Sequence, residues 1–144
     1  MILFGRSLGS PNQMHNLDLC MGPHMIADLV TSGHVLSIYH SAEDFRNSKC
    51  ILLVGTNIAN TAGGQWQDIL YAKKNGATLI VVDPRRCESA KQADIWLQIR
   101  PGTDGALALG MLHVIINEGL YDRAFVANYC LGFDKLREDV QQYT

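Results

Sequence analysis

LIVVDPRR, residues 79–86, is the stretch that decides the fold. Its first four residues are apolar and mostly β-branched, the signature of a buried strand. The run stops abruptly at an acid, a proline and two arginines. Working upstream, Cys50 to Val54 is a second short apolar run, with charge before it and glycine after it, and reads as another buried strand. Between the two lie a Gly/Thr/Asn loop, GTNIANTAGG (55–64), and a helical stretch (65–74). That stretch carries apolar Trp66, Ile69 and Leu70, ends in Lys73 and Lys74, and is closed by Asn75 and Gly76. Strand, loop, helix and strand over residues 50–82 make a βαβ unit, whose crossover leaves its two strands parallel.

Downstream, ESAKQA (88–93) reads as a short helix and DIWLQIR (94–100) as a third strand. PGTDGALALGMLHVIINEG (101–119) is a strong helix that Thr103 can cap. Its apolar residues recur nearly all round, so it is expected to pack on more than one side. DRAFVANYC (122–130) and GFDKLREDVQQYT (132–144) are two more amphipathic helices. The first forty residues are the least regular part and hold four of the five histidines, 15, 24, 34 and 40. Within them PHMIADLVTSG (23–33) reads as a short helix stopped by Gly33. The expected fold class is α/β: a Rossmann-like parallel sheet flanked by helices, with an irregular N-terminal segment. Residues 1–45 form an active-site segment with a short helix, and residues 46–144 a Rossmann-like nucleotide-binding domain.

Bulk properties narrow the function. At 144 residues the chain suits one domain with a real core. A net charge of −2 offers no basic face for nucleic acid. No apolar run approaches the ~18–20 residues of a membrane span, and the start lacks a signal-peptide pattern. The compartment therefore stays open. Cys20, Cys50, Cys87 and Cys130 are far apart in sequence, which argues against a CxxC pair or a disulfide framework. Cys50 and Cys130 read as small buried hydrophobes. His113 lies in the apolar helix and reads as a satisfied interior residue.

Ligands of open α/β sheets bind at the carboxyl ends of the strands. Three polar clusters fall there: Gly55, Thr56 and Asn57; Asp83, Pro84, Arg85 and Arg86; and Pro101, Gly102, Thr103 and Asp104. Glycines allow close approach of a ligand, and Asn57 offers both a donor and an acceptor. A carboxylate accepts two parallel N–H bonds, which matches the N1–H and 2-amino group of guanine. Ribose hydroxyls suit the other aspartate, and the arginines and a helix N-terminus suit phosphate. Each residue also has a plain structural role open to it. Asp83 can start a turn, Asp104 favours a first helical turn, and the arginines can be solvated charges. GTNIANTAGG lacks GxGxxG, which argues against a conventional dinucleotide dehydrogenase.

The runs GTN, VVDPRR and IRPGTDGALALGM together resemble the molybdopterin oxidoreductases of the dimethyl-sulfoxide-reductase family, over residues 5 to 140. The resemblance implies a molybdenum or tungsten ion held between two molybdopterin guanine dinucleotides, with this domain gripping the guanosine end of one. It further implies that Gly55 and Asn57 line the pocket, that Asp83 and Arg85 contact the nucleotide, that Asp104 contacts guanine, and that Thr56 and Gly102 are among the cofactor-binding residues. A second stretch, GSPNQMHNLDLCMGPH (9–24), resembles the family's active-site segment. There Cys20 takes the place of the protein's metal ligand, fitting for a soft thiolate, and His15 lies near the active site. Read without the resemblance, Cys20 is one more thiol, or joins His15, Asp18 and His24 in a zinc site of no recognised spacing. Cys87 stands where the family often carries threonine.

The resemblance implies a catalytic subunit of a longer parent, of which this chain is a fragment expected to be inactive alone. The parent is expected to run two-electron redox chemistry, including oxygen-atom transfer on a sulfur or arsenic oxyanion. It would carry a 4Fe-4S cluster outside this stretch, act on a small-molecule substrate, and pair with an iron–sulfur electron-transfer subunit. Two alternatives stay open. One is a cofactor-free structural subunit like the large iron–sulfur subunit of complex I, which degraded guanine-site residues would favour. The other is a non-redox hydratase of the same metal family.

Overall fold

A computed structural model of the chain describes residues 6–9, 20–33 and 42–143. The chain divides into two units, Met1–His40 and Ser41–Thr144. In the first, α1 (Gly22–Ser32) ends as expected at Gly33, whose φ of 68° is left-handed and whose N–H donates to Leu29 O. Glycine takes that conformation without steric cost, which is why the helix stops there.

The second unit begins with α2 (Ala42–Asn47) and is built on a three-stranded sheet. Its strands β1 (Cys50–Val54), β2 (Thr78–Val82) and β3 (Ile95–Leu97) are all parallel, in the order β1-β2-β3. Leu53 pairs with Val81 and Val81 with Trp96; Val54 pairs with Val82 and Val82 with Leu97. The connection from β1 to β2 runs through α3 (Ile58–Thr61) and α4 (Gly63–Lys74), and that from β2 to β3 through α5 (Glu88–Lys91). The expected βαβ unit is therefore present. The loop 55–64 differs from expectation in containing α3.

The core lies on one face of the sheet. Ile51, Leu53, Leu79 and Val81 are buried there with Trp66, Ile69 and Ala72 of α4 and with Cys87 and Ala90. Two ion pairs brace this layer. Arg46 Nε donates to Asp68 Oδ1 at 2.6 Å, which gives the buried Asp68 carboxylate the partner its burial demands. Lys73, at the basic end of α4, pairs with Asp94, whose other oxygen accepts from Leu79 N–H at 2.8 Å.

The other face is only partly covered. Leu52, Val54, Ile95 and Leu97 are exposed, so β1 is buried on alternate residues rather than throughout. Part of that face lies under α6 (Asp104–Asn117), across a cavity of about 290 Å³ lined by Leu52, Val54 and Val82 and by Leu107, Met111 and Ile115. Among the described residues α6 buries only Ile116, and Met111 and Val114 are exposed. The expectation of packing on several sides holds in part: α6 meets the sheet across that cavity and, through His113 and Asn117, the turn at Val140–Gln142, while Met111 and Val114 stay open. His113 is half-buried with both ring nitrogens engaged. Nδ1 lies 3.0 Å from Val140 O and Nε2 3.0 Å from Asn117 Nδ2. A carbonyl only accepts, so Nδ1 carries the proton.

Beyond α6, α7 (Arg123–Tyr129) is capped by Asp122, and α8 (Phe133–Asp139) runs into a tight turn that buries Val140. Among the described residues no helix is long and apolar enough to cross a membrane.

The two faces of the sheet predict unequal costs of truncation. Ile69 is 0% exposed and Leu52 44% exposed. Ile69→Ala is expected to lower unfolding free energy by about 2–5 kcal/mol and Leu52→Ala by about 1 kcal/mol or less. Denaturant titration measures both, and equal losses would contradict the one-sided core.

Candidate functional site

The three polar clusters follow the three strands. The ladder runs one step past β1 and β2: Gly55 N–H donates to Val82 O at 2.9 Å and Asp83 N–H to Leu97 O at 3.2 Å. Gly55 then turns away with φ of 60°, a conformation that favours glycine, and a Cβ there would meet nothing within 4 Å. The space in front of its backbone is open. Thr56 and Asn57 are half-buried.

Asn57 is more committed than its sequence suggests. Its Oδ1 accepts from Ser89 N–H and from Ser89 Oγ, both at 3.1 Å, and its Nδ2 donates to Glu88 Oε2 at 2.7 Å. The side chain expected to line the ligand pocket ties the loop after β1 to the start of α5. Ser89, fully buried, extends the tie by accepting from Ala59 N–H at 3.1 Å. Asn60 Nδ2 adds a second bond to Glu88 Oε2 at 3.2 Å. Glu88 and Ser89 had no distinguishing signal in sequence beyond lying in a short helix.

Asp83 is held at four points. Besides its N–H bond to Leu97, its carbonyl accepts from Trp96 Nε1 at 2.9 Å. Its Oδ1 accepts from Arg85 N–H at 2.7 Å, and Cys87 Sγ lies 3.8 Å from Oδ2. The Asp–Pro–Arg turn thus folds back on its own carboxylate, as aspartates at turn starts do. Each carboxylate oxygen keeps a further lone pair for an outside donor. Arg85 and Arg86 are exposed, and Arg86 stacks over the Trp96 ring at 5.7 Å. In sequence Trp96 reads only as part of a strand. It proves to support both the acid and an arginine of this cluster.

In the third cluster Gly102 has φ of 83° and makes the turn that starts α6. Thr103 does not cap the helix with its side chain, contrary to expectation; its Oγ donates back to Arg100 O at 2.7 Å. Asp104 is the first residue of α6 and is exposed. Among the described residues its carboxylate has no hydrogen-bond or ion-pair partner. It lines the cavity that also touches Val54 and Val82, the last residues of β1 and β2. Gly55, Asp83 and Asp104 therefore share the carboxyl edge of the sheet.

Cys20 belongs to the first unit, where it is exposed just ahead of α1. His15 and Asp18 lie outside the described residues. His24 Nε2 pairs with Asp28 at 3.3 Å. No group of three or more metal-ligating side chains occurs among the described residues. Cys50 and Cys130 are exposed, against the expectation that both are buried. Cys50 opens β1 at an outward position of its alternating burial, and Cys130 follows the last turn of α7.

Glu88 has an acidity set by this network. The Asn57 amide foremost, then its own backbone N–H, with Lys91 and Arg85 adding positive charge, hold its carboxyl below the ordinary 4.5. A lowered folded pKa stabilises the fold fully above the unfolded value, and that contribution is lost as pH falls through the folded one. Melting temperature is expected to fall as pH drops below about 4.5, and Glu88→Gln to lose less in that window. Identical acid profiles for the two would contradict the clamp.

Comparison with known proteins agrees with this architecture. The family model for molybdopterin oxidoreductase matches residues 3–132. The chain is 46% identical to acetylene hydratase of Syntrophotalea acetylenica over 141 residues, 97% of this chain and 19% of that protein. It is 45% identical to the F420-dependent formate dehydrogenase subunit alpha of Methanocaldococcus jannaschii over 105 residues, 73% of this chain and 16% of that one. The solved structure of acetylene hydratase from Pelobacter acetylenicus superposes with a TM-score of 0.75 at 45% identity, covering 97% of this chain and 19% of that one. The chain thus spans about a fifth of the length of the relatives it matches. It belongs to the molybdopterin oxidoreductase family.

Proposed function

We propose that the carboxyl edge of the sheet binds the guanosine end of a molybdopterin guanine dinucleotide, and that Cys20 supplies the protein thiolate to its molybdenum or tungsten. The observation that carries this reading is the pair of differently prepared carboxylates. Asp104 is exposed and, among the described residues, unpartnered at the edge, and Asp83 is fixed by four contacts with lone pairs to spare. These acceptors fit the group. Asp104 accepts the N1–H and 2-amino group of guanine together, Asp83 accepts from ribose hydroxyls, and Arg85 meets phosphate. Gly55 and Gly102 let the ligand reach the backbone, and Thr56 lines the approach. Asn57 contributes by fixing its loop, since its side chain is spent on Ser89 and Glu88. When bound, the cofactor supplies a metal centre capable of two-electron chemistry. His15 is assigned to the active-site segment with Cys20.

For the complete protein we propose a redox catalytic subunit acting on a small-molecule substrate, with a sulfur or arsenic oxyanion as the first class to assay. A 4Fe-4S cluster and an iron–sulfur partner subunit would carry its electrons. The 144-residue chain alone holds one end of one cofactor and is expected to show no turnover. A second reading, hydration with no net redox, is favoured by the 46% identity to acetylene hydratase.

Isothermal titration with GMP and GDP, against AMP and NAD, tests the site. Guanine-selective binding is expected. Asp104→Ala should weaken it about 10-fold or more, the scale of losing a charge-assisted pair of hydrogen bonds. Equal binding of AMP, or a preference for NAD, would overturn the assignment.

A further inference from the structure

The thiol of Cys87 is buried, 3% exposed, yet it does not simply fill space. Its Sγ sits 3.8 Å from Asp83 Oδ2, the only contact the structure gives that oxygen among the described residues. Oδ1 is already held by Arg85 N–H at 2.7 Å. One donor on one oxygen leaves the carboxylate free to turn about its last torsion, whose energy profile is broad. A second donor on the other oxygen fixes the plane. The thiol is well placed for this because its own backbone is anchored twice. Cys87 N–H donates to Arg85 O at 2.7 Å, and Cys87 O accepts from Lys91 N–H at 2.9 Å, in the first turn of α5. The donor therefore rides on a helix start packed into the core rather than on a mobile loop.

We propose that Cys87 is a positioning residue of the nucleotide site: its S–H donates to Asp83 Oδ2 and sets the carboxylate plane that receives the ligand. This rests on the nucleotide reading above. A thiol is a weak donor and a hydroxyl a stronger one, so serine should replace it and a side chain without a donor should not.

The test is GMP titration of the 144-residue chain and its variants, each first checked for a cooperative melt. Cys87→Ser is expected to bind GMP within about twofold of the parent, and Cys87→Ala about fivefold more weakly, the scale of one hydrogen bond. If Cys87→Ala fails to fold, Cys87→Val removes the donor while filling the space and should show the same loss. In an Asp83→Asn background, removing the Cys87 donor should cost no more than about twofold further, because the group it positions is already altered. Unchanged GMP affinity in Cys87→Ala would overturn this inference alone. So would an undiminished loss in the Asp83→Asn background, which would make the residue a packing element. No GMP binding by the unmodified chain would overturn the nucleotide reading and this inference with it.

Discussion

Because β1, β2 and β3 run in one direction, all three strands leave the sheet at one edge, and everything assigned to the nucleotide follows from that constraint. Helical crossovers from β1 to β2 and from β2 to β3 return the chain to the opposite edge each time, so every strand starts alike and ends alike. The register then fixes who meets whom. Val54, Val82 and Leu97 are paired in line, so Gly55 and Asp83 both begin one step beyond the same row. Apolar burial on the α4 side holds that register, since a slip of one residue would turn Leu53 and Val81 out of the core.

Parallel pairing alone gathers the loops without fixing their side chains. That is done by a short relay of polar groups. Asn57 reaches across to Ser89 and Glu88, and Asp83 is held by its own turn, by Trp96 and by Cys87. Much of the polar chemistry of the edge is thus spent on preorganisation. Among the described residues Asp104 remains without a partner, beside a largely apolar cavity. A rigid edge with one open carboxylate loses little freedom when a ligand binds, so more of the interaction energy appears as affinity.

How far the sequence disclosed this depends on the kind of signal. The strands and the helices other than α2 and α3 were legible because apolar runs, turn residues and Gly33 record local preferences. The gathering of Gly55, Asp83 and Asp104 was legible through the βαβ rule. What failed were statements about surroundings. Cys50 and Cys130 look apolar in sequence, but their exposure depends on layers that this short sheet does not provide. The same is true of α6, whose apolar circumference says nothing about which sides find partners. Thr103 has the right type for a cap, yet its hydroxyl bonds to Arg100. Trp96 and Glu88 could not be singled out, because each acts through a contact between segments 13 and 31 positions apart in the chain, and Cys87 stood out only against the family's threonine, not for its contact with Asp83.

The most direct measurement of the central claim is a map of backbone amide NMR shifts during titration with GMP. The perturbed amides are expected to cluster at Gly55, at residues 83–86 and at residues 102–104, with AMP leaving them little changed. Shifts confined to the helices after α6, or the same map with AMP, would contradict it.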